Sequence, residues 1–389
     1  MFLLILLGML SAFGPFVTDM YLPSLPAMAD YFSASLPMVQ MGLTTSMIGL
    51  ALGQIFFGPL SDKYGRRPLL LVSMLLFIVS TLFCLFAPDI YSFVTLRLIQ
   101  GIAGAGGIVI SRSVATDKFS GKELAKMLAV IGAINGVAPV AAPVIGGLLT
   151  GSVGWQGIFM ILLFIGILLG IGCIRFKESL PAEKRSKTGV WATFRSFGII
   201  VHNRRYMLYV FQLAFAQGIL FAYIASSPFI IQQHYGFSPF AFSICFAVNA
   251  VAIGVAAALS VKFRRTENGT LTGCIGMLVF AVLQMAALYS GCGFWTYELL
   301  MFALLFMMGL TFTSSTTLAM DCERRYAGAA SALLGALCFA SGGIVSPLVG
   351  LGDILISTGV TFVICAVCSL LCALWAVKRT GSKVALCRI

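Results

Sequence analysis

An ionisable side chain inside a long apolar run is costly to hold there, so such residues are where chemistry is sought first. Asp19 stands about two thirds along the first apolar run and is the one acid within the runs of the N-terminal half. Arg97 lies a turn or more into the fourth run. The first run leaves the membrane on the side from which the fourth enters, so the two side chains can sit at comparable depth. Burial favours the neutral form of a carboxyl, and a neighbouring cation favours its charged form. A site whose balance changes as a cavity opens to either side can load and release a proton, and Asp19 is the expected proton site. Pro23 follows within about a turn, so the competing reading is a helix-end acid in the interfacial layer.

Other polar residues in the runs suit a ligand rather than a proton. Asn135 in the fifth run and Asn249 in the eighth are lone amides, fitted either to hydrogen bonding between helices or to lining a cavity. Gln212, Gln217 and Tyr223 in the seventh run, with Phe215 and Phe221, offer amide and aromatic surface, as an amphiphilic ligand would need. Tyr21 joins Asp19 and Arg97 among the candidates for ligand contact. Arg112, near the far end of the fourth run, reads as a snorkelling anchor or a substrate contact. Glu298, at the outer start of the tenth run, is expected to face water. The eleven cysteines are scattered, mostly among apolar neighbours. Cys365, Cys368 and Cys372 share a helix face, but no His, Asp or Glu accompanies them. They read as small packing groups, and neither a metal site, a cofactor nor a disulfide framework is expected.

The elements that must position these residues are membrane helices. The chain has 389 residues, 60% hydrophobic and only 10% charged, with a mean hydropathy of +1.02. Soluble domains carry about 25% charged residues, and a spanning helix needs about 20 apolar ones. Twelve runs fall near 2–24, 38–60, 68–87, 91–116, 124–150, 154–174, 206–232, 238–261, 270–290, 295–319, 326–350 and 354–377. The expected fold class is therefore an all-α membrane protein with twelve transmembrane helices. The first run contains Asp19 and Pro23, lacks a basic flank and precedes eleven more, so it is not a secretory signal. A few basic residues are expected ahead of it.

Charge placement sets the topology. Apart from Arg97 and Arg112, the remaining 23 of the 25 Lys and Arg follow even-numbered runs or the last one. The opposite loops carry none, holding instead Asp30, Asp89, His234 and Asp353. That bias predicts that both termini are cytoplasmic. The net charge of +12 belongs to these loops, so no nucleic-acid partner is expected. The longest and most charged connection, 176–205, carries Trp191, Phe194 and Phe197 at helical spacing, which predicts an amphipathic surface helix. It would join an N-terminal six-helix bundle, 1–175, to a C-terminal one, 206–377, followed by a cytoplasmic tail, 378–389. Two six-helix halves are an architecture of repeat-built transporters.

The loop after the second run reads Gly58-Pro59-Leu60-Ser61-Asp62-Lys63-Tyr64-Gly65-Arg66-Arg67-Pro68. It crowds an acid and three cations into a short turn. Asp62 can pair with Arg66 or a helix end, and breaking such a pair costs more than making it gains, as a two-state latch requires. This string resembles the signature loop of the major facilitator superfamily, with Gly58, Asp62, Gly65, Arg66 and Arg67 as its latch residues. Arg97-Leu98-Ile99-Gln100-Gly101, followed by Gly104, Gly106 and Gly107, is similar to that family's second motif. Gly132, Gly136, Pro139, Pro143 and Gly146 resemble the helix-bending motif of its proton-driven antiporters, with Ala138 in place of the usual glycine before Pro139. Thr18-Asp19-Met20-Tyr21-Leu22-Pro23-Ser24-Leu25-Pro26 is similar to the signature of the Bcr/CflA drug exporters, which include bicyclomycin and chloramphenicol resistance proteins.

The resemblance covers the whole chain, although the second half matches by pattern only. It implies two six-helix halves working by alternating access, with Arg97 as the charge partner of Asp19. The expected function is proton-coupled antiport exporting small amphiphilic drugs from a bacterial inner membrane, by a monomer that needs no cofactor. Its partners would be a small-molecule substrate, protons and the lipid bilayer. Ser11 stands where several multidrug relatives carry a second acid, which favours neutral or zwitterionic substrates over cations. A proton-coupled transporter of one metabolite, such as a sugar or amino acid, is the alternative. A polytopic membrane enzyme is a remote third, because the outer loops are short and His202 and His234 fall on opposite sides.

Overall fold

In hydrocarbon every backbone N–H and C=O must be satisfied within the protein, so apolar runs of this length fold as helices. The computed structural model describes residues 2–119, 121–185, 197–323 and 327–386. The first half holds α1 (Phe2–Asp19), a 3₁₀ turn (Leu22–Ser24), α2 (Leu25–Tyr31), α3 (Leu36–Tyr64), α4 (Arg66–Leu85), α5 (Ile90–Lys118) and α6 (Gly121–Arg175). The second half holds α7 (Arg204–Phe229), a π-helical turn (Ile230–His234), α8 (Pro239–Ser260), α9 (Thr266–Tyr289), α10 (Phe294–Cys322), α11 (Ala327–Leu348) and α12 (Ile354–Leu386).

Among the described residues eleven helices are long and apolar enough to cross a membrane. One of them contains Gly154, whose backbone (φ 64°, ψ −171°) is not helical. Dividing it there recovers the twelve spans, with Gly154 at the expected start of the sixth. The first span is longer than its apolar run suggests, because it continues through the 3₁₀ turn and α2 to Tyr31. Residues 186–196 of the predicted amphipathic linker helix, including Trp191 and Phe194, lie outside the described residues.

Packing follows the inverted patterning of a membrane protein. On α4 the exposed side chains are Val72, Leu75, Val79, Leu82 and Phe83, at helical spacing, while Ser73, Ser80 and Thr81 are buried. Small residues bring backbones together. A Cβ on Gly49 or Gly53 of α3 would overlap backbone of α5, and one on Gly101 would overlap the Ser46 carbonyl. Two helix starts are capped by the side chain of the residue before them. Asp89 accepts from Ser92 N at 2.9 Å and Ser92 Oγ at 3.0 Å, bonds that hold its carboxyl below the usual carboxylate range. Asn203 accepts from Arg205 N and Tyr206 N, both at 3.2 Å.

The chain divides into two compact units, Met1–Thr193 with Gln232–Ala247, and Phe194–Ile231 with Val248–Ile389. The first has a core around Leu10, Phe13, Met74 and Phe77. The second has one around Tyr206, Tyr209, Val210 and Leu318.

Candidate functional site

In the first unit, α1 stops at Asp19 for a local reason. Pro23 lacks the N–H that would bond the Asp19 carbonyl four residues back. The 3₁₀ turn bridges the break, with Ser24 donating from Oγ at 2.6 Å and from N at 2.9 Å to Tyr21 O. Gln232 Nε2 donates to Pro23 O at 3.0 Å. Asp19 is 6% exposed, and the hydroxyl of its neighbour Thr18 donates to Gly14 O at 3.1 Å. Gly146 of α6 faces the same break. A Cβ there would overlap the Met20 carbonyl, so glycine is needed for α6 to reach the backbone beside Asp19. Pro139 and Pro143 lie within α6. The side chain of Asn135, and positions Gly132 and Gly136, fall outside the described side chains.

Arg97 is wholly buried and forms no ion pair with Asp19 in this structure. Backbone carbonyls and an amide take the guanidinium instead. It donates to Val17 O at 3.1 Å, to Gly42 O at 3.4 Å and to Gln100 Oε1. Gln100 passes the link to Thr81 Oγ1 at 2.7 Å. The guanidinium also lies over the Tyr21 ring, 4.4 Å from its centroid, and 5.7 Å from that of Phe159. One cation thus ties α1, α3, α5 and, through Gln100, α4. Its partners suit the planar fork of an arginine.

The latch loop is more heavily bonded than its sequence suggests. Arg66, 6% exposed, meets Asp62 at 2.5 Å and Asp117 of α5 at 2.9 Å, and donates to Ser61 Oγ at 2.7 Å. Glu178, beyond α6, accepts from Arg66 N at 3.0 Å and Arg67 N at 3.1 Å, capping α4 across 112 residues of sequence. Its negative charge sits at the positive end of the helix dipole. Arg67 donates to Ile174 O at 2.8 Å. Gly65 has φ 104° and ψ 156°, a region essentially confined to glycine, and a Cβ there would stand 2.6 Å from Glu178 Oε2. At Gly58 a Cβ would make only ordinary contact, 3.6 Å from Val109. Neither Asp117 nor the capping role of Glu178 was expected; both contacts join segments distant in sequence.

In the second unit, three residues form one hydrogen-bonded cluster. Asn249 Nδ2 on α8 donates to Tyr223 Oη on α7 at 3.0 Å and to Glu298 Oε1 on α10 at 2.8 Å. Asn249 is thus an interhelical hydrogen-bonding residue. Glu298 was expected to face water, but it is half-buried and its Oε2 is enclosed without a partner among the described residues. Its place in the first turns of a run concealed this. Gln212 is drawn elsewhere, donating to Ser369 Oγ at 3.1 Å and Cys274 Sγ at 3.4 Å. Gln217 and Phe215 are half-buried on α7, and Phe221 packs against Phe339 with centroids 6.0 Å apart. Among the described residues no cluster of His, Cys, Asp or Glu could hold a metal ion.

Comparison with known proteins places these features. The family model described as Major Facilitator Superfamily matches residues 4–347. The Bacillus subtilis (strain 168) protein named Uncharacterized MFS-type transporter YdgK is 39% identical, over 90% of this chain and 88% of its own. A Haemophilus influenzae Bicyclomycin resistance protein homolog is 30% identical, over 88% and 87%. Among solved structures, an inward-facing bacterial homolog of the human lysosomal transporter Spinster superposes with a TM-score of 0.78 at 17% identity, covering 97% of each chain.

Proposed function

The chain belongs to the major facilitator superfamily, and from that footing we propose that it is a proton-coupled antiporter exporting small amphiphilic drugs by alternating access. The observation that carries this reading is Asp19, a buried carboxyl at the interruption of a spanning helix, in no ion pair among the described residues. Ionisable residues in such places mark proton and substrate paths. The name of the Haemophilus relative, a bicyclomycin resistance protein homolog, supports a drug as cargo.

In this mechanism Asp19 takes a proton while its site opens outward and releases it while the site opens inward. Substrate binds the deprotonated state, so proton and drug exchange rather than travel together. Arg97 is a positioning residue. By holding Val17 O and the Tyr21 ring it fixes the segments on either side of Asp19. Within the second unit, Phe215, Gln217 and Tyr223 are proposed to contact the drug. The Arg66 cluster stabilises one of the two states and so sets how fast they interchange. The chain acts as a monomer in a bacterial inner membrane with both termini cytoplasmic.

Accumulation of labelled chloramphenicol in cells expressing the chain tests the reading. Steady-state accumulation below that of control cells, restored to the control level by a protonophore, is expected. Accumulation that this chain does not lower, or that a protonophore does not restore, would count against the reading for this drug.

A further inference from the structure

The cluster of Tyr223, Asn249 and Glu298 has a donor–acceptor balance that proton exchange at Asp19 leaves unused. Asn249 spends both hydrogens of Nδ2, one on Tyr223 Oη and one on Glu298 Oε1. A carboxylate accepts only, so it dictates which end of the amide faces it. Acceptors are left in excess: Asn249 Oδ1 and Glu298 Oε2 are both enclosed without a hydrogen-bond partner among the described residues. Glu298 is in no ion pair among the described residues. In its ionised form a carboxyl set in an apolar helix is stabilised by a positive charge that takes the place of a proton, and two acceptors suit more than one N–H on the group that brings it. A quaternary ammonium brings charge without N–H; an alcohol brings one O–H without charge.

We infer that Glu298, Asn249 and Tyr223 form a subsite for the protonated amine of a primary or secondary alkylamine. The subsite lies within the second unit, and its role in transport rests on the exporter reading above. It supplies the counter-charge that Ser11, in the first unit, does not. Glu298 is half-buried as a residue while its Oε2 is covered, so the amine reaches Oε2 as the side chain moves. Amines then join the neutral and zwitterionic compounds as cargo.

The test is calorimetric titration of the purified full chain in nanodiscs with phenethylamine, its trimethylammonium counterpart and phenethyl alcohol. The amine is expected to bind at least about tenfold more tightly than either analogue, the size of one charge-assisted hydrogen bond. Glu298→Gln should abolish that preference while leaving the alcohol within about twofold, and Glu298→Asp should retain most of it. The aspartate variant separates loss of charge from loss of fold. If the glutamine variant does not fold, the ranking of the three probes on the wild-type chain decides. No binding of the amine, equal affinity for its trimethyl counterpart, or an amine preference unchanged in Glu298→Gln would overturn the subsite. The exporter reading falls separately. Amine binding without any transport driven by a pH gradient removes that reading and spares the subsite, whereas export of a neutral drug without an amine preference does the reverse.

Discussion

Arg97 is a buried cation satisfied by carbonyls, an amide and an aromatic face, and this arrangement decides what its replacement should do. Lysine would keep the charge but lose the fork that reaches Val17 O, Gly42 O and Gln100 together. Each buried acceptor left unpaired costs about 1–3 kcal/mol. Arg97→Lys should therefore lower the melting temperature of the purified protein and cut transport together. An unchanged melting temperature would refute the positioning role. Arg66 invites a finer comparison. Its partner Asp62 is 53% exposed, whereas Asp117 is 15% exposed. An exposed pair contributes about 0–1 kcal/mol, and the pair with the more enclosed side chain is the less screened of the two. Asp117→Asn should destabilise the protein more than Asp62→Asn in denaturant or thermal melts, and the reverse order would contradict this ranking.

At the scale of elements, two glycines hold backbone where no side chain fits. Gly65→Ala forces a Cβ into a glycine-only conformation and against the Glu178 carboxylate that caps α4, at a cost of about 1–3 kcal/mol. Gly146→Ala drives α6 off the Met20 carbonyl, an overpacking cost of about 1–3 kcal/mol, and should impair transport beyond its effect on melting because the displaced segment carries Asp19. Stability and transport falling in proportion would deny α6 that special role. Much of this was legible in advance. Asp19, Arg97 and the Gly58–Pro68 string stand out because charge and turn residues are rare in so apolar a chain. The capping of α4 by Glu178 was not, since nothing local pairs residues 112 apart. Glu298 was misread because an acid in the first turns of a span looks interfacial until the amide reaching it from another helix is seen. The carbonyls that hold Arg97 were hidden for a related reason. Comparable depth brings two residues to one level, but nearby carbonyls can take the cation first.

For the molecule as a whole, the latch should govern rate rather than recognition. The cluster around Arg66 sits where the charge bias places the cytoplasm, apart from Asp19 along α3 and α4. Asp62→Asn should slow turnover several-fold while ligand affinity in binding assays stays within about twofold, because it shifts only the equilibrium between states. Loss of affinity with normal turnover would contradict the latch. The driving ion follows from inventory. Among the described residues the first unit offers one buried membrane carboxyl and no cluster of oxygen ligands of the kind a sodium site needs, so coupling should rest on Asp19 and the proton. The most direct measurement is drug movement in sodium-free proteoliposomes under an imposed pH gradient, comparing the wild-type chain with Asp19→Asn. The account predicts uphill transport by the wild type that collapses with the gradient, and none by the variant despite normal insertion. Undiminished uphill transport by Asp19→Asn, or transport that needs sodium and ignores the pH gradient, would contradict it.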